Sequence, residues 1–250
     1  MNTTRRLAEK LISEQLRAPG FAFVPGRQIR EDLPAGDADW HRFAAHWDDL
    51  VLDPYIGSAG SDQFRYRRYG RFALRRQPSG AGLPVTLTAL PVRPFVQEAE
   101  HVGRYEGRAR QLEPATEAFL EDPLLHALIA YDHAVLPEPP EVCEVGLHAI
   151  RVKVTPSLDA RPTPEGRHRD GHDFIAMHLI GKNDCSGGES LVYEQGTGNP
   201  ACIARLTLAD PLDTLVVDDS LVEHEVTRLE PGGTEGNRDV LLVAFYPLAS

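Results

Sequence analysis

Nowhere in this 250-residue chain do the ~18 consecutive apolar residues needed to span a bilayer as a helix occur, so no membrane span is expected. Cysteine is scarce. Cys143, Cys185 and Cys202 are widely spaced, form no C-x-x-C pair and cannot all be bridged within one chain, which excludes a disulfide framework. A reducing compartment, by default the cytoplasm, is the expectation. Positive charge is also short: 26 Lys and Arg stand against 37 Asp and Glu, for a formal net charge of −11. Nucleic-acid affinity rests largely on cations that neutralise phosphates, so this balance opposes it and favours a small-molecule partner. A homodimer is left open. Internal repeats and low-complexity tracts are absent. The Arg5-Arg6 pair near the start hints at an export signal, but Leu7-Ala-Glu-Lys-Leu-Ile-Ser-Glu14 is too polar for the apolar segment that must follow.

What is present is an ordinary globular composition, 42% hydrophobic and 25% charged. One domain over residues 1–250 is expected, with helices and supporting strands in 1–140 and a β core in 141–250. Leu7, Leu11, Ile12 and Leu16 share a helical face over Thr3 to Arg17, which Pro19-Gly20 ends before the extended run Phe21-Ala-Phe-Val24. Trp40, Phe43, Ala44 and Trp47 predict a second helix between Asp37 and Leu50. Phe119, Leu120, Leu124, Leu128 and Ile129 predict a third from Pro114 to Ile129, and a stiff Pro-rich connector follows at Leu136 to Glu141.

From Phe64 to Arg76 the chain alternates. Arg65, Arg67, Tyr69, Arg71 and Arg75 fall on one side, while Phe64, Tyr66, Phe72 and Leu74 fall mainly on the other. Either the arginines form a solvated basic face, or one or two of them hold a substrate carboxylate. After the connector, period-two runs predict strands at Leu147 to Thr155, Asp173 to Lys182, Ser190 to Glu194, Ile203 to Leu208, Thr214 to Asp218, Val222 to Arg228 and Asp239 to Tyr246. So many short strands with intervening turn residues make the fold class mainly β with flanking helices, a sandwich or jelly roll.

Within these strands, His168 and Asp170 stand one residue apart in Pro164-Glu-Gly-Arg-His-Arg-Asp-Gly171, and His224 and Arg238 follow. Ten histidines and 18 aspartates in this length give about 0.7 H-x-D pairs by chance, so the bare motif decides nothing. Its setting adds weight. On an extended segment residues i and i+2 point the same way, so His168 and Asp170 can face one ion while Arg169 points away and Gly171 permits a turn. A strand carrying His224 can return to the same point. Two histidines and a carboxylate are the protein ligands of a mononuclear non-haem iron(II) site with open positions. Arg238, just before Val240-Leu-Leu-Val-Ala-Phe-Tyr246, could lie beside the metal and bind a carboxylate bidentately, although a surface ion pair is the plainer account.

The chain at this point resembles the bacterial iron(II)/2-oxoglutarate dioxygenase family of amino-acid hydroxylases that includes L-isoleucine 4-hydroxylase. The residues that carry the resemblance are Glu165-Gly-Arg-His-Arg-Asp-Gly171 with Phe174-Ile175, Gly187-Gly-Glu-Ser190, Asp218-Asp-Ser220 ahead of His224, and Arg238-Asp239; Asp53-Pro-Tyr55 and Tyr66-Arg-Arg-Tyr-Gly-Arg-Phe72 extend it into the first half. It implies a double-stranded β-helix of the jelly-roll, cupin-like kind. His168, Asp170 and His224 would be the iron ligands, and Arg238 would pair with the distal carboxylate of 2-oxoglutarate. The implied reaction consumes 2-oxoglutarate and O2, hydroxylates a free L-amino acid or close derivative, and releases succinate and CO2. Glu225 departs from the family pattern, which more often has a small residue there, as does Arg228-Leu-Glu-Pro231; changed access to the site is expected.

An amino-acid substrate needs an acid and a base in its pocket. Arg151 is the leading basic candidate if it faces inward, with an exposed strand face as the alternative, and Glu165 is a candidate for the ammonium. His178 could touch the cosubstrate or be a hydrogen-bonded core residue, and Tyr193 is equally ambiguous. Two other classes fit the same pattern: a jelly-roll binding protein that holds a metal or small ligand without turnover, and a cupin-like metal isomerase or hydrolase needing no cosubstrate.

Overall fold

Helix α1 (Thr3–Arg17) buries Ile12 and Leu16, while Leu7 and Leu11 remain 59% and 53% exposed. The buried strip therefore runs one position away from the Leu7/Leu11 line, which at 3.6 residues per turn rotates those two leucines about 100° to the side. The computed structural model describes residues 3–33, 35–56, 64–77, 84–97, 107–196 and 198–248. Met1 and Asn2, ahead of the Arg5-Arg6 pair, lie outside them.

The remaining elements follow in chain order: β1 (Phe21–Val24), α2 (Gly26–Asp32), α3 (Asp37–Ala44) running into a 3-10 turn (Ala45–Asp49), β2 (Val51–Leu52), β3 (Arg65–Arg76), β4 (Val85–Ala89), α4 (Glu117–Leu120) and α5 (Pro123–Val135). Then come β5 (Val142–Val154), β6 (Phe174–Asn183), β7 (Cys185–Gly187), β8 (Ser190–Glu194), β9 (Cys202–Leu206), β10 (Thr214–Asp218), β11 (Val222–Val226), β12 (Leu229–Pro231) and β13 (Gly236–Tyr246). The expected third helix is split in two. Asp122 explains the second start, because its carboxylate accepts from Leu124 N at 2.8 Å and Pro123 occupies the first helical position.

An antiparallel sheet in the order β1-β10-β6-β13-β5-β3-β2, with β4 on β3, faces a smaller sheet β11-β8-β9; β12 and β7 pair alongside. This is the expected jelly roll. One face of the large sheet packs on the helices through Phe72, Leu74, Val145, Leu147, Ala176, Ile180, Leu241 and Val243, joined by Leu125, Leu128 and Ile129 of α5. The other face, with Ile150, Val152, Ile175, Met177 and Val240, turns toward the small sheet. Both faces are thus buried, and strand parity decides which side chains reach the interior between the sheets.

Parity corrects the expectation for His178. Ile175 and Met177 face the space between the sheets, so His178, one residue out of phase, faces α5. There it is fully buried, its Nε2 2.8 Å from Asp132 Oδ2 and its Nδ1 2.7 Å from Thr214 Oγ1. It ties helix to sheet and does not line the cleft. Removing one partner of a buried polar pair strands the other, so Asp132→Ala is expected to lower the unfolding free energy by ~3 kcal/mol or more. Urea titration with an unchanged slope checks this; a loss below ~1 kcal/mol, the size of an exposed pair, would contradict it.

Candidate active site

In register across β13, β5 and β3 stand Arg238, Val152 and Arg65, then Val240, Ile150 and Arg67, then Leu242, His148 and Tyr69. Residues opposite one another on paired strands share a face, so these rows form one floor. Above it lies a cleft walled by Ile175 and Met177 of β6, by Phe95, Gln97 and Arg110 ahead of α4, and by Pro162, Thr163 and Glu165. Thr163 pins its loop to β11, its hydroxyl accepting from Val226 N at 2.9 Å and donating to Val226 O at 3.2 Å.

In the lining of the cleft the chain brings His168, Asp170 and His224 together, with one ligand atom of each within 4.8 Å of the others. The cause is a two-residue antiparallel bridge: His168 N donates to His224 O at 3.0 Å and His224 N to His168 O at 2.9 Å. Residues so paired project to the same side, and the ring centroids lie 4.6 Å apart. His168 Nδ1 donates to Gly166 O at 2.9 Å, which fixes its Nε2 toward Asp170 Oδ1, 3.6 Å away. His224 Nε2 is 3.6 Å from Asp170 Oδ2. After Asp170 the chain turns at Gly171, whose φ of +82° favours glycine. Asp219 anchors this turn, its carboxylate accepting from the backbone N–H of Asp170 at 3.2 Å, Gly171 at 2.7 Å and His172 at 3.1 Å.

The electrostatics of the cluster call for a cation. Burial opposes charge on His168, but its contact with Asp170 and the charges of Asp170 and Glu165 push it up to about 9. Burial also opposes ionisation of Asp170, yet the two histidines hold it well below the usual carboxylate range. A group of nitrogen and carboxylate donors that pulls positive charge into a buried spot is the chemistry of a divalent-metal site.

Arg238 projects from β13 into the cleft at 4% exposure. Gly188, at φ +66°, lets the small-sheet side come close: a Cβ there would stand 3.2 Å from Arg238 Cδ. No carboxylate forms an ion pair with Arg238 among the described residues, and its buried Nε has no hydrogen-bond partner. Its neighbour Asp239 points the other way, to Arg151. Burial accordingly lowers Arg238 to about 10. A buried guanidinium aimed into a cleft in this condition is built for an anion.

Arg65, Arg67 and Arg71, at 5%, 6% and 7% exposed, overturn the solvated-face reading for most of β3, and Arg75 at its end stays exposed. Arg65 donates to Asp53 Oδ2 through Nε at 2.9 Å and a terminal nitrogen at 2.7 Å, and Arg67 donates to His148 Nδ1 at 3.1 and 2.7 Å. Arg71 lies beyond the cleft on Glu144 at 2.6 Å. Burial and Arg67 hold His148 well below the usual histidine range.

Arg151 is a second correction. Cross-strand register puts it opposite Asp239, away from Ile150 and Val152, and it makes two 2.8 Å bonds to Asp239 on the outer face. Glu225 sits on the side of β11 away from the cleft lining, where it accepts from the Tyr193 hydroxyl at 2.5 Å. Glu165 does line the cleft, with Oε1 3.7 Å from His168 Nε2. Sequence reasoning gave no role to Asp219, His148, Gln97 or Arg110. Asp219 stood in the Asp218-Asp-Ser turn, but the other three carry no local signal.

A jelly roll whose cleft is lined by a His/Asp/His cluster and a buried arginine has the make-up of a mononuclear metal oxygenase. The 2OG-Fe dioxygenase family model matches residues 44–244, and the chain belongs to that family. Its cofactors are iron(II), 2-oxoglutarate and O2, and the chain is a 2-oxoglutarate-dependent dioxygenase. It is 30% identical over 160 residues to an L-isoleucine-4-hydroxylase of Bacillus thuringiensis, an alignment spanning 60% of this chain and 64% of the relative. It is 26% identical over 246 residues to a 3(1)-hydroxy-L-isoleucine 4-dioxygenase of Pantoea ananatis (strain AJ13355), covering 92% and 93% of the two chains. Among solved structures, a bsmA homolog from Methylobium petroleophilum PM1 superposes with a TM-score of 0.82 at 27% identity, covering 97% of this chain and 93% of the other. The IDO structure from Bacillus thuringiensis shares the fold at a TM-score of 0.74 and 21% identity, covering 96% of each chain. No described helix is long and apolar enough to cross a membrane.

Proposed function

We propose that the protein hydroxylates a free L-amino acid or a close derivative, with His168, Asp170 and His224 holding iron(II) and Arg238 pairing with the distal carboxylate of 2-oxoglutarate. The observation that carries the amino-acid reading is Glu165: its Oε2 is buried in the cleft wall beside His168 and has no hydrogen-bond partner. A buried carboxylate oxygen in that state is costly unless a cationic donor arrives, and a substrate ammonium supplies one. Arg65 and Arg67, on the floor of the same cleft, suit the substrate carboxylate. Between the charged groups the walls are apolar, Ile150, Val152, Ile175, Met177, Val240 and Leu242, which favours an aliphatic side chain. The names of the two relatives point to the same class, a branched aliphatic amino acid or its hydroxy derivative.

When bound, iron and 2-oxoglutarate supply the oxidative chemistry: a C–H bond, 2-oxoglutarate and O2 become C–OH, succinate and CO2. The chain's own residues do the aiming. Arg238 orients the cosubstrate from the floor, Glu165 on one side and Arg65 and Arg67 on the other fix the two ends of the substrate backbone, and the apolar lining excludes water from the reacting carbon.

A succinate-release screen over the common L-amino acids and their N-acetyl forms tests this. Aliphatic free amino acids should raise succinate above the background seen without substrate, and N-acetylation should remove the effect. Glu165→Gln should raise the KM for the amino acid about tenfold or more while the substrate-free background is kept, the loss of one charge-assisted contact. If no amino acid raises succinate while the background reaction proceeds, the substrate class is wrong.

A further inference from the structure

Asp170 carries a contact that the ligand role leaves unexplained. Gln97 Nε2 donates to Asp170 Oδ1 at 2.6 Å, and Arg110 donates to Gln97 Oε1. A guanidinium can only donate, so Arg110 fixes the amide oxygen toward itself and the amide NH2 toward Asp170. Arg110 is itself held, 2% exposed, by a two-way backbone bridge to Phe95 at 2.8 and 2.9 Å, with its guanidinium 5.0 Å from the Phe95 ring centroid. Gln97 is 6% exposed and lines the cleft.

From this chain of contacts we infer that Gln97, oriented by Arg110, is a positioning residue for the metal site: it occupies Asp170 Oδ1 and so confines the carboxylate to ligation through Oδ2, the oxygen near His224. The inference rests on the metal-ligand reading of Asp170. Without the amide, Asp170 is free to rotate between its two histidines, each 3.6 Å from a different oxygen. Partners of metal-ligating carboxylates are worth 10- to 100-fold in metal affinity. This one also joins the metal site to the substrate-facing wall that Phe95, Gln97 and Arg110 build.

The test is calorimetric titration of Co(II) into the metal-free full-length protein and into Gln97→Met and Gln97→Glu, with thermal unfolding of each metal-free protein alongside. Methionine keeps the length and packing without the donor; glutamate keeps the shape, still accepts from Arg110, and sets a like charge against Asp170. Gln97→Met should weaken Co(II) binding about tenfold or more with a metal-free unfolding midpoint close to the parent, and in both variants the visible spectrum of the bound Co(II) should change. If one variant fails to fold, the other decides. Binding within twofold of the parent with an unchanged Co(II) spectrum overturns the inference and leaves the ligand reading intact; no Co(II) binding by the parent overturns both.

Discussion

Asp170→Ala is expected to abolish metal binding and turnover together. Asp170 is the one carboxylate of the cluster, with an oxygen 3.6 Å from each histidine, and its negative charge is what draws a cation to two buried imidazoles. Its loss leaves two neutral donors in a desolvated site, where a divalent ion keeps little compensation for its lost water. Co(II) affinity should fall by more than ~100-fold, beyond the range typical for outer partners, and iron-dependent succinate release should fall to background. The fold should survive, because the His168–His224 bridge is made by backbone atoms and the Asp219 anchor keeps its N–H donors. Circular dichroism and Co(II) calorimetry on the same preparation separate the two effects; retained tight binding would remove Asp170 from the ligand set.

Arg238→Met is expected to separate cosubstrate binding from stability. Truncating one side of a buried charged contact costs ~2–5 kcal/mol, so the KM for 2-oxoglutarate should rise ~30-fold or more. Co(II) affinity should stay near that of the parent, since no contact among the described residues links Arg238 to the His/Asp cluster. The stability effect has the opposite sign to that of an ordinary core arginine. Arg238 is desolvated with its Nε unpartnered, so without 2-oxoglutarate the methionine variant should unfold at the same or a higher urea concentration. Arg238→Lys should recover only part of the affinity, because an ammonium lacks the planar fork. A destabilised variant with unchanged 2-oxoglutarate KM would make Arg238 structural.

The long periodic segments were legible because their patterns are local. α1, β8 and β10 have the bounds expected of them, and the jelly roll follows from the run of short strands. β7 and β12 were missed because Cys185-Ser-Gly187 and Leu229-Glu-Pro231 are too short and turn-rich to show a period. The order of His168, Asp170, His224 and Arg238 was visible because ligand spacing is local on one side and strand return supplies the other. Face assignment was the harder matter. Alternation tells which residues share a side and leaves open which side meets the interior, so for Arg151, His178, Arg65 and Arg67 the sequence offers two faces each without choosing between them. Both faces of the large sheet are buried here, and only cross-strand register, Arg238 beside Val152 beside Arg65, tells them apart. Gln97 and Arg110 left no trace in sequence because their roles depend on contacts across 73 and 13 positions within irregular backbone.

The most direct measurement is an anaerobic titration of the protein with iron(II) and 2-oxoglutarate, followed by visible absorption. A weak charge-transfer band should appear only when both are present, saturate at one iron per chain, be lost in Asp170→Ala, and need far more 2-oxoglutarate in Arg238→Met. Folded protein that shows no band at saturating iron and 2-oxoglutarate, or a band indifferent to both substitutions, would contradict the account.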